Sequence, residues 1–196
     1  MAKNCINLDD IAHDLGCDGG NMSGIVPRLT YGYYEDVAVW PDEPKPAIAG
    51  GTVTPLSLEE AGALIGDVVM KSGTRAWEIE FTEDVGKLAI QPVGEVDGGH
   101  FEYTLDIVKA KIQKKVLGFM NAAISRKMFF IVQDENGNHY LMGNKKRGCT
   151  FVTGGDGATT GANSGERNQA SMQFKFRSQK ALVYEGDTED LLKITP

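Results

Sequence analysis

The densest group of residues that could do chemistry is a polar, glycine-rich tract from Gly154 to Asn168. A loop of this composition can cradle a phosphate, hold a metal ion or form an arm that reaches another subunit. A phosphate-binding P-loop needs a lysine after its last glycine, whereas Gly161 is followed by Ala162 and Asn163. Strand-like runs lie on both sides of the tract, while a dinucleotide site needs a strand and a helix. Nucleotide binding is therefore excluded, and a metal loop or an arm remains.

A second candidate site is the segment after residue 133, where Asp134, Asn136 and Asn138 have the spacing that begins a calcium-binding EF-hand loop. The glycine that such a loop requires is replaced by His139, and its final glutamate is replaced by Lys145. The flanking residues alternate as strands do, and an Asn-Gly pair favours a tight turn. We interpret the segment as the tip of a β-hairpin.

Nucleophiles and metal ligands are scattered along the chain. His13, His100 and His139 have no spacing that suggests zinc, and the three cysteines are too few and odd in number for a disulfide framework. Cys149 and His139 could pair as nucleophile and base, but a free cysteine is more often simply buried. No Gly-x-Ser-x-Gly elbow occurs. The sequence predicts no catalytic residue, no metal and no cofactor, and hence no enzyme.

The formal net charge of −7 argues against binding to duplex DNA through its phosphates, because such binding needs an excess of positive charge. Residues 1–100 carry 6 basic and 17 acidic side chains, whereas residues 101–196 carry 14 basic and 10 acidic side chains. This asymmetry suits either two solvated faces or head-to-tail self-association. No apolar run approaches the roughly 18 residues of a membrane helix, and no apolar leader is present, so we expect a cytoplasmic protein without a membrane partner.

Alternating apolar and polar residues predict a mainly β fold in a single domain that spans residues 1–196. We expect a β-barrel or a sandwich of two packed sheets. A proline- and glycine-rich loop is expected over residues 41–56, and a flexible glycine-rich loop over residues 154–168. The predicted strands cover residues 25–33, 36–40, 76–81, 87–91, 101–107, 128–133, 139–142, 149–153 and 172–177.

One amphipathic helix is predicted over residues 108–125, packed on the sheets by one face. Its apolar stripe consists of Val108, Ile112, Val116, Phe119, Met120, Ala123 and Ile124. Two short N-terminal helices are also expected. The first runs from Asn7 to Gly16, and the second begins with a capping box of Ser57 and Glu60 and extends to about residue 65.

Three stretches resemble a known class of structural protein. They are the turn at residues 94–101, the hairpin at residues 130–143, and residues 160–168 leading into residues 174–176. Their order over about residues 76–186 resembles tail-tube and related virion proteins of phages and prophages from Bacteroidetes-type gut bacteria. These proteins are similar in turn to the tube protein of type VI secretion.

The resemblance implies a subunit of a phage tail in the virion, assembled in the bacterial host cytoplasm. Its partners would be further copies of itself in stacked hexameric rings, other tail proteins, and DNA in transient passage. An acidic lumen would repel the phosphates, and Glu78 and Glu80 on the strand at 76–81 are the candidate lumen face. The glycine-rich tract becomes a candidate inter-subunit loop that includes Gly154, Gly155, Asp156, Gly157, Gly161, Asn163, Gly165 and Arg167.

Two other functions remain open on the sequence. The chain could be a different virion component, such as a head-tail completion, capsid decoration or baseplate protein. It could also be a carbohydrate-binding β-sandwich module in which exposed aromatic residues stack on sugars, the candidates being Trp40, Tyr33 and Tyr34.

Overall fold

The computed structural model describes residues 5–11, 20–95, 98–152 and 157–194, and these residues form a mainly β fold, as expected. The strands are β1 (Arg28–Tyr33), β2 (Val37–Val39), β3 (Ala47–Ala49), β4 (Thr52–Thr54), β5 (Val69–Met70), β6 (Trp77–Glu80), β7 (Lys87–Val93), β8 (His100–Ala110), β9 (Met128–Gln133), β10 (His139–Met142), β11 (Thr150–Val152), β12 (Ala158–Thr159) and β13 (Gln169–Ser178). The helices are α1 (Leu58–Gly62) and α2 (Lys114–Ser125), with 3-10 turns at Tyr34–Asp36 and Asp190–Leu192. Within the described ranges, no helix has the length and apolarity needed to cross a membrane.

Most strands belong to two antiparallel sheets. The first sheet has the order β10-β9-β1-β6, and the second has the order β11-β13-β8-β7 with β12 beside β13. The longest pairing joins β8 to β13, from Ala110 opposite Gln169 to Phe101 opposite Ser178. The predicted hairpin is confirmed, since β9 pairs with β10 and Oδ1 of Asp134 accepts hydrogen bonds from the backbone of Asn136 and Asn138.

Residues of both sheets share one hydrophobic cluster, and the period-two alternation of the strands explains why. Tyr103, Leu105 and Ile107 of β8 are buried because alternate side chains of a strand point to the same face. The rings of Phe130 in β9 and Phe174 in β13 lie with their centroids 4.5 Å apart. The first and second sheets are therefore joined through this cluster.

The opposite face of the first sheet contributes to a second cluster. Phe129 and Ile131 of β9 pack there with Trp40 and Met70, while Phe130 points into the first cluster. Other members of the second cluster come from chain segments laid over the first sheet, and they include Val37, Val68, Tyr184 and Leu191. Strand β9 is thus buried on both faces.

The amphipathic helix begins later than the sequence predicted. Residues 108–110 belong to β8, because pairing with β13 extends that strand to Ala110. The chain then turns at Lys111, whose φ is +65°, and α2 starts at Lys114. Val116 and Ala123 are buried as expected, but Ile124 is 73% exposed and does not belong to the buried stripe.

The second predicted N-terminal helix is confirmed, whereas the described part of the first is not helical. Ser57 and Glu60 form the reciprocal capping box at the start of α1, which ends at Gly62. Residues 7–11 form neither helix nor strand, so the prediction of a helix from Asn7 is wrong there. Residues 12–16 of that predicted helix lie outside the described residues.

The proline- and glycine-rich segment at 41–56 contains more regular structure than a loop. Strands β3 and β4 form a two-stranded hairpin within it, with Ala47 opposite Thr54. The turn is made by Gly50 and Gly51, whose φ values of +55° and +81° favour glycine. The sequence did not predict this hairpin because four prolines surround it, and proline usually marks irregular chain.

Candidate functional site

The described part of the glycine-rich loop, residues 157–168, contains a hydrogen-bonded turn. Gly154, Gly155 and Asp156 lie outside the described residues. The backbone oxygen of Gly157 accepts a hydrogen bond from Ser171 at 2.8 Å, and β12 then pairs with the start of β13.

Glu166 organises the tip of this loop. Its carboxylate accepts hydrogen bonds from the backbone of Ala162 at 2.6 Å and from the side chain of Asn163 at 2.9 Å. These donors, the Ala162 amide above all, lower the pKa of Glu166. Gly161 has a φ of +75°, and a Cβ added there would lie 3.0 Å from Cβ of Glu166. Residues 162–168 are all exposed, and no heavy atom lies within 4 Å of a Cβ added at Gly165.

The predicted lumen residues are exposed on β6 at the edge of the first sheet, but they do not form a purely acidic face. Glu78 makes an ion pair with Arg28 at 3.4 Å, and the same arginine lies opposite Glu80 in the pairing of β1 with β6. The positive charge of Arg28 therefore lies on the strand beside both residues and is paired with Glu78, which weakens the negative potential of this edge.

Cys149 is a buried thiol, as the sequence predicted. Its side chain is 1% exposed and donates a hydrogen bond to the backbone oxygen of Met142 at 3.0 Å. Burial raises the pKa of this thiol well above its usual value, so the reactive thiolate is disfavoured. Among the described residues, no group of three or more histidine, cysteine, aspartate or glutamate side chains is placed to hold a metal ion.

A basic turn lies on the loop between β10 and β11. Asn144 and Arg147 exchange two backbone hydrogen bonds, and the side-chain oxygen of Asn144 accepts two more from Lys146 and Arg147. Lys145 pairs with Asp42 at 2.6 Å, whereas the ion pairs of the described residues involve neither Lys146 nor Arg147. The turn thus presents unpaired positive charge on the basic half of the chain.

Residues 5–11, which we call the N-terminal segment, expose apolar side chains that the sequence predicted to be buried in a helix. The backbone of Cys5 and Asn7 pairs with Leu56 at the base of the β3–β4 hairpin, with N···O distances of 3.0 and 2.8 Å. Beyond this anchor, Leu8 is 89% exposed and Ile11 is 88% exposed. The two residues between them are aspartates.

A surface cavity of about 430 Å³, which we call the aromatic pocket, opens between α2 and the edge of the first sheet. It is lined by Tyr31, Tyr33, Trp77, Lys115, Phe119, Ala122 and Met128. Phe119 meets Tyr31 edge-on with ring centroids 5.1 Å apart, and Trp77 meets Tyr33 edge-on at 6.4 Å. Burial, followed by the influence of Tyr33, raises the pKa of Tyr31.

The rim of the aromatic pocket is basic. Lys115 lines the pocket itself, and the guanidinium of Arg126 lies 4.5 Å from the ring centroid of Tyr33 in a cation–π contact. Arg126 is also paired with Glu35. The sequence could not identify this pocket, because its residues come from four separate elements.

Of the aromatic residues proposed for sugar stacking, Trp40 is buried in the second cluster, whereas Tyr33 lies in the aromatic pocket. Trp40 is 7% exposed, stacked on Tyr34 at 5.2 Å and edge-on to Phe129 at 5.8 Å. It belongs to the second cluster and cannot offer a ring to a sugar, so that part of the carbohydrate-binding prediction is wrong. Tyr33 lines the aromatic pocket.

Comparison of the chain with protein-family models, with curated proteins and with solved structures finds no match. A proposal for the function therefore rests on these surfaces and on the sequence resemblance.

Proposed function

We propose that the protein is a non-enzymatic structural subunit of a phage tail that self-assembles into stacked hexameric rings of the tail-tube class. Its partners are further copies of itself and other tail proteins, and DNA passes through the assembled tube. Assembly takes place in the host cytoplasm and the product belongs to the virion.

The observation that carries the proposal is the projecting β3–β4 hairpin. All of its strand residues are exposed except the half-buried Val53, and Ile48 is 70% exposed. An isolated two-stranded hairpin is marginally stable in water, because three or more strands or a packed face are usually needed. A hairpin of this kind gains its missing contacts when it packs on a neighbouring subunit.

The arrangement of the two large sheets supports the same proposal. Their shared cluster fits a sandwich of two packed sheets, and Phe119 of α2 contacts Phe174 of the second sheet with ring centroids 6.1 Å apart. Two packed sheets flanked by one helix are what the tail-tube resemblance implies.

The candidate lumen face carries mixed charge. Glu78 and Glu80 remain the candidate lumen face, and Glu78 is exposed enough to meet passing phosphates. The ion pair of Glu78 with Arg28 reduces the repulsion that this edge can exert on DNA. We therefore expect other acidic residues to contribute if this edge lines a lumen.

Electron microscopy and analytical ultracentrifugation across protein concentration and salt test this function. We expect rings of one defined order that stack into tubes at high concentration. The variant Ile48→Ser should impair ring formation while leaving the fold intact by circular dichroism, and Ile124→Ser on α2 is the matched control of similar exposure. A monomer under every condition would contradict the proposal, and single rings that never stack would indicate a different virion role.

A further inference from the structure

We propose that the N-terminal segment of one copy of the chain binds in the aromatic pocket of a second copy. Leu8 enters the pocket, and Asp9 and Asp10 face Lys115 at its rim. This inference rests on the self-assembly proposed above and names one of its contacts.

The aromatic pocket is suited to an apolar side chain. Tyr31 on β1 pairs with Trp77 on β6, and the ring of Trp77 contacts the rings of both Tyr31 and Tyr33, so the aromatic wall is formed before any ligand arrives. The volume of about 430 Å³ lies in the range of cavities that bind small ligands. A preformed pocket loses little conformational entropy when it is filled.

The N-terminal segment supplies the apolar side chain. Leu8 and Ile11 are among the most exposed large hydrophobic residues of the described chain, and moving each side chain out of water lowers the free energy. Two backbone hydrogen bonds to Leu56 hold the segment at the base of the β3–β4 hairpin. Because Leu8 is 89% exposed in this position, it does not fill the pocket of its own chain.

The charges of the two surfaces complement each other. Asp9 and Asp10 follow Leu8 directly and are both exposed. Lys115 is exposed on the pocket side of α2, and none of the ion pairs within the described ranges involves it. Opposite charges at the edge of an apolar contact favour the correct partner and orientation. The aromatic pocket is therefore suited to a segment that carries both an apolar side chain and acidic residues.

The contact would join two different surfaces of the same chain. When the contact is made head to tail, it leaves one unused segment and one unused pocket on every pair of subunits, whereas a reciprocal pair would use both. Further copies can then add until the ring closes, so the proposed contact is of the type that ring assembly requires.

A charge exchange tests the proposal by sedimentation. The double variant Asp9→Lys with Asp10→Lys and the single variant Lys115→Glu should each weaken self-association by roughly threefold to tenfold. The triple variant that combines all three changes should restore it. Lys146→Glu is the control, since Lys146 lies in the basic turn and does not line the pocket. Absence of rescue in the triple variant would overturn the pairing of these charges.

Photocross-linking tests the apolar contact directly. Leu8 is replaced by p-benzoylphenylalanine in isotopically heavy protein, which is mixed with light wild-type protein. We expect cross-links from heavy to light chains at residues 114–128 or at Trp77. Cross-links confined to the heavy chain itself, or cross-links to other surfaces, would overturn the proposal. Leu8→Ser should weaken association on the order of tenfold or more, and Ile124→Ser is the matched control of an exposed apolar residue outside the pocket.

The two proposals fail in different ways. If rings and tubes form equally well in the Leu8→Ser variant and in the charge-reversed variants, the pocket contact is wrong and the tube function stands. If the cross-link from residue 8 to the pocket forms only in small, unstacked oligomers, the contact is right and the tube function is wrong.

Discussion

Gly32 on β1 stands opposite Phe129 on β9, and the structure leaves no space for a side chain at this position. A Cβ added to Gly32 would lie 2.6 Å from Cε1 of Phe129. The ring of Phe129 is fully buried and is held in place by the edge-on contact with Trp40. Glycine at residue 32 therefore allows the aromatic ring to lie across the neighbouring strand.

We expect Gly32→Ala to lower the free energy of unfolding by about 1–3 kcal/mol, because overpacking forces the buried ring or the strand to shift. Urea unfolding at neutral pH measures the change. The control is Gly118→Ala in α2, where no heavy atom lies within 4 Å of an added Cβ. That change should raise stability by up to about 1 kcal/mol, and equal effects of both variants would contradict the steric explanation.

Glu102 on β8 is the centre of a charged group on the second sheet. Its carboxylate accepts hydrogen bonds from Lys175 at 2.6 Å and from Arg177 at 3.1 Å, both on β13. The hydrogen bond from Lys175 is the largest cause and lowers the pKa of Glu102. Burial opposes it, and the hydrogen bond from Arg177 adds to the lowering. The ionised form is thus favoured in the folded state.

A depressed folded-state pKa gives a definite pH dependence. The stabilisation by Glu102 should be fully present above the unfolded pKa of about 4.3 and should be lost as the pH falls through the lower folded pKa. Urea unfolding at neutral pH should therefore separate wild type from Glu102→Gln more than unfolding near pH 3 does. A difference that stays constant over this range would contradict the prediction.

At the scale of elements, Asn168 fastens the connection between β8 and α2. Its backbone oxygen accepts a hydrogen bond from Lys111 at 2.7 Å, and its side-chain oxygen accepts one from Ile112 at 2.8 Å. The last residue of the glycine-rich tract therefore holds the turn that precedes the helix. At this end, the tract stabilises the connection between β8 and α2.

Asn168→Ala should cost about 1 kcal/mol of stability, because the amide of Ile112 loses its acceptor. Thermal or urea unfolding followed by circular dichroism measures the loss. Asn168→Asp keeps an oxygen in the same place and should retain most of the stability. An equal loss in both variants would indicate that the amide nitrogen of Asn168 matters instead.

The sequence predicted strands well wherever one face of a strand is buried and the other is polar. Residues 101–107 alternate clearly, and β8 and its pairing with β13 follow from that pattern. The start of α2 could not be predicted, because Val108 fits both the alternation of β8 and the helical spacing to Ile112. Pairing with β13 decides between them, and such pairing is a long-range contact.

The candidate site was harder to predict than the fold. Composition identified the glycine-rich tract, but it could not indicate the hydrogen bonds that Glu166 makes with Ala162 and Asn163. Leu8 and Ile11 have helical spacing, so the sequence predicted that they form the apolar face of a helix. In the structure both side chains are exposed. The aromatic pocket combines residues up to 97 positions apart, from Tyr31 to Met128, and only the folded chain brings them together.

At the scale of the whole molecule, the uneven charge has a consequence for association. The acidic first half and the basic second half favour contacts between unlike surfaces of two copies, and salt screens such contacts. We expect self-association measured by sedimentation to weaken between about 0.1 M and about 1 M salt, where the Debye length falls from about 10 Å to about 3 Å. An association that strengthens steadily with salt would indicate a contact that is mainly apolar.

Strand β9 packs into both hydrophobic clusters, with Phe130 on one side and Phe129 and Ile131 on the other. Neither cluster can open without exposing this strand, so the two should lose their structure together. In hydrogen–deuterium exchange, the β9 amides should be the slowest of the molecule and should exchange only through global unfolding. The amides of the β3–β4 hairpin should exchange orders of magnitude faster in the free subunit, and their slowing on assembly would give a residue-level record of which surfaces have been covered.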